Sequence, residues 1–289
     1  MLTLIQSPGI LVMPGVFDGF SVRLVEKLGF RAAAISGAGV SESALGRPDI
    51  GLMGCEENLR TSAALAAVSS LPLLADGDTG YGNALNVYFT VQRFERAGLA
   101  GLMIEDQVWP KRCGHMPGKR VISAAEGVEK IRAAVSARQD SSFVIKARTD
   151  AAGTHGIAEA IRRLNLYAEA GADLLFADAL LAAEDIRTVA REVTKPLAVN
   201  MGFGIRRRST TPLLSPHELE DMGVAVVSYP RLLTAAAIQG MTNAIRALEL
   251  CMTERRMIER PDLLVSFEEL NELMGLTELR DLEESFAPR

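Results

Sequence analysis

The sequence predicts an α/β fold, a closed (β/α)8 TIM-type barrel with a C-terminal helical extension. Three observations predict it. Eight short apolar runs are each followed by a longer stretch of helical period. The run ends are spaced on average about 30 residues apart, the size of one βα unit. Polar residues collect at the C-terminal ends of these runs, the face on which a barrel carries its active site.

The eight strands are expected at residues 10–14, 31–36, 72–76, 101–105, 143–148, 173–177, 196–200 and 224–228. Two of the intervening helices carry capping-box patterns, Ser123 with Glu126 and Ser215 with Glu218, the second with Pro216 in the first helical position. No G-x-G-x-x-G follows the first strand, which speaks against an open dinucleotide-binding sheet. No Gly/Ser/Pro-rich linker interrupts the series, so one domain is expected: a barrel over residues 1–250 and an extension of it over 251–289. Past the eighth unit, Ala235–Leu250 reads as a long helix, Thr253–Pro261 as a charged link and residues 265–285 as a further amphipathic helix. The apolar stripe of that last helix (Leu270, Leu273, Met274, Leu279, Leu282) needs a surface to cover it, either its own barrel or a neighbouring subunit.

Composition agrees with a globular enzyme. The chain has 289 residues, 48% of them hydrophobic, and its charged residues are mixed in sign, so a large core is available and disorder is not expected. A net charge of −5 offers no electrostatic footprint for nucleic acid. No apolar run approaches the roughly 18 residues of a membrane span, and the N-terminus lacks the order of a signal peptide. Cys55, Cys113 and Cys251 are scattered and odd in number, which points to a reducing cytoplasm rather than a disulfide framework, and none has zinc-ligand spacing. Cys55 and Cys251 read as structural; His155 and His217 read as loop and helix-start residues.

The strand ends carry the chemistry. Asp76 and Asp78 lie two apart after the third strand, and so share one side if the strand continues. A cation between them would relieve their repulsion, although an Asx turn alone would use the same residues. Glu105 follows an apolar run directly and adds a third acid at the next strand end. Oxygen donors of this kind suit Mg²⁺, with Mn²⁺ as a substitute, better than zinc. The loop of residues 106–122 is long for a connection, and holds Lys111-Arg112-Cys113-Gly114-His115. The flanking positive charge favours a thiolate, making Cys113 a competent proton donor or nucleophile, with Lys111 and His115 on its side of an extended chain. Arg148, ending the fifth strand, can grip a carboxylate with two parallel bonds or pair with a strand-end acid. Asp178 and Asn200 end the sixth and seventh strands, and Ser36-Gly37-Ala38-Gly39 offers a hydroxyl and free N–H groups to an oxyanion. Arg206-Arg207-Arg208 reads as a solvated loop.

At these residues the sequence resembles the isocitrate lyase/phosphoenolpyruvate mutase superfamily. The strongest pieces are Ser36-Gly37, Leu45-Gly46-x-Pro48-Asp49, Asp76-x-Asp78-x-Gly80-Tyr81-Gly82-Asn83, Glu105-Asp106-Gln107, Lys111-Arg112-Cys113-Gly114-His115, Ala147-Arg148-Thr149-Asp150 and Asn200-Met201. Within it the chain is similar to the branch of 2,3-dimethylmalate lyase, 2-methylisocitrate lyase and carboxyvinyl-carboxyphosphonate phosphorylmutase. The resemblance implies that Asp76, Asp78 and Glu105 hold Mg²⁺, partly through water. It implies that Ser36, Gly37, Ala38, Asp49, Arg148, Asp178 and Asn200 bind substrate. Cys113, with Lys111, His115 and Arg148 about it, would act as catalytic acid on a closing loop. The expected reaction cleaves a carbon–carbon bond of a substituted malate or 2-methylisocitrate-like acid; a carboxyphosphonoenolpyruvate mutase or an oxaloacetate hydrolase or decarboxylase is the alternative. The resemblance also implies a homotetramer whose C-terminal helices are exchanged between subunits. The sequence departs from the family's pattern at Asp178 (usually Glu), Met103 (often His), Ala34 (Tyr in many of the lyases) and across residues 202–212, where an expected Glu is missing.

Overall fold

The computed structural model describes residues 1–114, 116–203 and 212–287. His115 and the run Arg206-Arg207-Arg208 lie outside the described residues. Contacts divide the chain into two units, Met1–Leu232 and Leu233–Arg289.

In chain order the first unit runs α1 (Leu2–Gln6), β1 (Leu11–Val16), α2 (Gly19–Lys27), β2 (Ala33–Ile35), α3 (Gly37–Leu45), α4 (Cys55–Ala67), β3 (Leu73–Asp76), α5 (Ala84–Arg96), β4 (Gly101–Glu105) and α6 (Ala124–Ala137). It continues with β5 (Val144–Thr149), α7 (Ala152–His155), α8 (Ile157–Glu169), β6 (Leu174–Ala177), α9 (Ala183–Glu192), β7 (Leu197–Asn200), α10 (Pro216–Asp221) and β8 (Val226–Tyr229). The eight strands are all parallel to their neighbours and β8 closes on β1, giving the expected barrel. Of the two predicted capping boxes, Ser215 and Glu218 form theirs in both directions. Ser123 accepts a bond from the Glu126 N–H, but the reciprocal bond is absent.

Period two along each strand decides what faces inward. Leu11, Met13, Leu74, Met103, Val144, Leu174, Phe176, Ala198 and Val226 form one buried cluster inside the barrel, joined by Ile5 of α1. Each fully buried large apolar side chain contributes about 1.5–3 kcal/mol relative to exposure. On this floor stand the residues next along the inner faces. The register pairs Asp76 with Met103, Met103 with Lys146, Glu105 with Arg148 and Asn200 with Ser228, so strand position alone gathers the polar residues at the C-terminal mouth.

The second unit carries most of a long helix, α11 (Leu232–Glu254), then α12 (Phe267–Leu273) and α13 (Leu276–Ser285). The single helix expected over 265–285 is thus two. Gly275, at φ 75°, takes the left-handed conformation that ends a helix, while the apolar period carries on across the break. On α11, Ile238, Met241, Ile245, Leu248 and Met252 recur at intervals of three and four and are 55–72% exposed, an apolar stripe longer than any on α12 or α13. Among the described residues no helix is long and apolar enough to cross a membrane.

Candidate active site

Of the acids at the mouth, Asp78 and Glu105 are deeply buried and Asp76 partly so. Asp76 closes β3, and its carboxylate packs so tightly against Gly37 that a Cβ there would lie 2.7 Å from Asp76 Oδ2, so only glycine fits. Asp76 Oδ1 accepts the Asp78 N–H at 3.0 Å, and the Glu105 N–H reaches the Asp78 carbonyl at 2.8 Å. Asp78 sits in the left-handed region at φ 48°, a strained position that aims its side chain back into the mouth. Burial pushes the Asp78 carboxyl up to about 7, against the pull of Lys111. Burial likewise holds Glu105 well above the usual carboxylate range, with Arg148 opposing. Neither Asp78 oxygen nor Glu105 Oε1 accepts a hydrogen bond among the described residues. Buried carboxylate oxygens that accept no hydrogen bond are costly, and a hard cation is a group that would satisfy them. No three acidic, histidine or cysteine side chains among the described residues stand close enough to hold an ion as they lie. The donor set nonetheless fits Mg²⁺, which keeps waters and needs only one or two direct carboxylates.

The loop after β4 folds over this mouth. Gln107 pins it from within: its amide donates to the Arg112 carbonyl at 2.9 Å and accepts the Arg112 N–H at 3.0 Å, while Gln107 and Val121 bridge the two ends. The Cys113 N–H then donates to the Asp49 carbonyl at 3.0 Å. Lys119 latches the far side, with Nζ 2.8 Å from Asp150 Oδ1, 2.7 Å from Asp178 Oδ2 and 3.1 Å from the Gly114 carbonyl. Gly114 makes the closure possible, since a Cβ would meet Asp178 Oδ2 at 2.3 Å.

Lys111 does not lie beside Cys113 as the extended-chain reading expected. Its buried ammonium is 2.5 Å from Asp49 Oδ1 and 2.7 Å from Asp78 Oδ1. Arg112 donates to the Pro117 carbonyl. The cation that faces the thiol is instead Arg231, from the turn after β8, whose Nη2 lies 3.3 Å from Cys113 Sγ and whose Nη1 pairs with Glu42. Cys113 itself is 8% exposed.

Arg148 is held rather than free. Its Nε and Nη2 make two parallel bonds to Asp150, at 2.9 and 3.0 Å, and it pairs further with Glu105 and Asp178. Burial opposes the charge, but Asp150, Asp178 and Glu105 keep the guanidinium fully protonated. Nη1 is left without a partner among the described residues. Asp106, behind the site, accepts from Thr149, the Asp150 N–H, Arg163 and Tyr167, which fixes the end of β5 in place. Ser36 caps α3, its Oγ accepting the Gly39 N–H at 3.1 Å, so the first turn of that helix faces the mouth.

These groups enclose a cavity of about 90 Å³ under the loop. Of the residues singled out in the sequence, Ser36, Ala38, Asp49, Asp76, Cys113, Arg148, Asp178 and Asn200 line it. Asp78, Glu105 and Lys111 sit beside it through the contacts above, and Gly37 backs Asp76. Lys119, Lys146 and Arg231 were not singled out, and Asp150 stood only within the Ala147-Arg148-Thr149-Asp150 segment. Lys146 had a signal: it stands two residues before Arg148 on the same strand face, a charge within an apolar run.

A model of the phosphoenolpyruvate phosphomutase family matches residues 1–249. A 2,3-dimethylmalate lyase of Eubacterium barkeri is 39% identical over 287 residues, which are 99% of this chain and 97% of that protein. Among solved structures, oxaloacetate acetylhydrolase in complex with the inhibitor 3,3-difluorooxalacetate is similar with a TM-score of 0.90 at 30% identity, covering 98% of this chain and 95% of that one. Phosphonopyruvate hydrolase in complex with oxalate and Mg²⁺ is similar with a TM-score of 0.84 at 27% identity, covering 99% and 97% of the two chains.

Proposed function

The chain belongs to the phosphoenolpyruvate phosphomutase family and is a carbon–carbon lyase of the isocitrate lyase/phosphoenolpyruvate mutase superfamily, and on that premise we propose its substrate class, metal and proton donor. It cleaves a substituted malate or 2-methylisocitrate-like acid into a 2-oxo acid of the pyruvate type and a carboxylic acid. The reaction depends on Mg²⁺, with Mn²⁺ as a substitute, and Cys113 is the catalytic acid. The observation that carries this reading is a thiol backed by a guanidinium at 3.3 Å, held by a latched loop over a cavity that Arg148, Asp178 and Asn200 also line.

Asp76, Asp78 and Glu105 would hold the metal, which supplies positive charge to the oxygens of the 2-oxo acid. Arg148 Nη1 and the first-turn N–H groups of α3, at Gly37 and Ala38, bind the carboxylate, and Asn200 and Ser36 orient it. Asp49 and Lys111 tie the loop to the acid cluster from the other side. A base removes the proton of the 2-hydroxyl group, the carbon–carbon bond breaks, and its electron pair passes to the departing half as an enediolate. Cys113 gives its proton to that carbon, and Arg231 faces the negative charge left on sulfur. The latch at Lys119 keeps water from the enediolate while it exists.

The overlap with oxaloacetate acetylhydrolase favours a second reading, an oxaloacetate hydrolase or decarboxylase on the same scaffold, with a carboxyphosphonoenolpyruvate mutase as its relative. Incubation with Mg²⁺ and a panel of 2-hydroxy and 2-oxo dicarboxylic acids separates them. A 2-oxo acid released from a 2-hydroxy acid supports the lyase; oxalate from oxaloacetate, or a phosphonate product, replaces it. No turnover on any member makes the chain a barrel that binds oxo acids without converting them. The exposed stripe of α11 supports assembly into a homotetramer with exchanged C-terminal helices, working in the cytoplasm on a small-molecule acid.

A further inference from the structure

Below Arg148 the cavity has a charged floor. Lys146 is 3% exposed, lines the cavity, and makes no hydrogen bond or ion pair among the described residues. Its Nζ lies over the ring of Phe176, 4.6 Å from the centroid, a ring that Arg148 also overlies at 5.4 Å. Across the cavity Ser228, on the inner face of β8, presents a buried Oγ that likewise has no hydrogen-bond partner among the described residues. Other buried cations of this barrel have polar partners: Lys111, Lys119, Arg148 and Arg163 each meet at least one carboxylate, and Lys130 donates to the Thr79 carbonyl. A desolvated ammonium and a desolvated hydroxyl facing one cavity are expensive unless a ligand satisfies both.

We propose that Lys146 and Ser228 form a floor subsite for a second carboxylate of the substrate, carried on the carbon next to the 2-oxo (or 2-hydroxy) carbon. This rests on the reading of the mouth as a 2-oxo acid site and deepens it: the intact substrate lies there as a compact diacid, its second carboxylate leaving with the departing half, and is not a simple monoacid. The spacing follows from the strand. Arg148 and Lys146 point the same way two residues apart, about 7 Å along β5. A four-carbon diacid whose first carboxylate meets Arg148 Nη1 lays its second on Lys146, with Ser228 donating to the remaining oxygen. A three-carbon monoacid leaves the floor empty. Burial lowers the Lys146 ammonium to about 8, so a bound anion would restore the charge that burial disfavours. Leu74, Met103 and Ala34 also line the cavity, and the acids whose charge reaches Lys146 (Asp76 and Asp178) make no ion pair with it among the described residues.

The test is calorimetric binding to the full chain with Mg²⁺ present, using two matched pairs that differ by one carboxylate: malate against lactate, and freshly prepared oxaloacetate against pyruvate. Wild type should bind each diacid about 10- to 100-fold more tightly than its monoacid, the range of one charge-assisted contact. In Lys146→Met the preference should collapse to about threefold or less, with the monoacid affinities little changed; in Ser228→Ala it should fall part of the way. Melting temperatures near wild type establish that the variants are folded, and the wild-type ratio stands whether or not they are. Monoacids and diacids bound equally by wild type would overturn the subsite and leave the oxo-acid reading intact, as would a preference that survives in a folded Lys146→Met. Failure of every acid to bind would overturn the oxo-acid reading and the subsite with it. A borohydride-trapped adduct on Lys146 would replace the ionic subsite with a covalent imine.

Discussion

Replacing Arg231 tests how the thiol is activated. The guanidinium meets Cys113 Sγ at 3.3 Å and the Glu42 carboxylate. Arg231→Met keeps most of the side-chain length and removes the charge. When Cys113 gives up its proton, the sulfur is left charged at a site only 8% exposed, without the guanidinium against it. A hydrogen bond to a charged group contributes about 1.5–3 kcal/mol. At about 1.4 kcal/mol per factor of ten, kcat should fall about 10- to 150-fold. The Glu42 side chain is 34% exposed and can rehydrate, so stability should drop by no more than about 1 kcal/mol. Steady-state kinetics of cleavage, with melting as a control, read both quantities. Because the lost interaction forms fully only as the proton leaves, the change should appear in kcat more than in KM, and Arg231→Lys should recover part of the rate with a point charge. A kcat for Arg231→Met within about threefold of wild type, in a protein of unchanged melting temperature, would refute the argument.

Other perturbations probe the loop, the metal and the assembly. Lys119→Met removes bonds to Asp150, Asp178 and the Gly114 carbonyl. Breaking a buried pair from one side costs about 3–5 kcal/mol, and hydration of the opened loop offsets part of it, so kcat/KM should fall about 100- to 1000-fold. Proteolysis within residues 106–122 should quicken, and an unchanged kcat/KM would contradict the latch. Activity should vanish in excess chelator and return with Mg²⁺. Since Asp78 takes up a proton near pH 7, Mg²⁺ must compete with that proton below this pH. Affinity measured by calorimetry should therefore rise from about pH 6 to about pH 8, and a flat profile would count against Asp78 as a ligand. Ile245→Glu places a charge in the exposed stripe of α11, and sedimentation should show species smaller than the wild type; an unchanged size would remove that stripe from the interface.

The barrel was legible because its signal is local and repeated. Each strand lies within about two residues of its expected place, since short aliphatic runs at βα spacing admit little else. The break at Gly275 was not legible from period, because the apolar positions keep their spacing on both sides of it. The strand-end residues were legible for the same reason as the strands: period two sends Asp76, Glu105, Arg148 and Asn200 to one mouth. What the sequence hid was pairing across long separations. Alternation placed Lys111 beside Cys113, but the turn of the loop sends its ammonium to Asp49 and Asp78, and the cation at the thiol comes from Arg231, 118 residues away. Arg148 was open to either a carboxylate ligand or an acid of the protein, and Asp150 takes two of its donors. Lys119 lay in the same loop as Cys113, yet only the folded arrangement brings Asp150 and Asp178 to it.

The most direct test of the account is Cys113→Ser. A hydroxyl keeps the size and polarity of the thiol but is a much weaker acid, so proton delivery to the enediolate should fail while binding survives. General acid–base steps typically contribute about 10²–10⁴-fold, and kcat for cleavage of a 2-hydroxy acid should fall by that range with little change in affinity for the 2-oxo acid product. A mutase delivers no proton to a carbon leaving group, and would keep much of its rate with serine in place, whereas oxalate release from oxaloacetate also protonates a departing carbon and is told apart by its product. Near wild-type cleavage of a 2-hydroxy acid by Cys113→Ser would contradict the role assigned to the thiol, whatever the metal and the floor subsite prove to do.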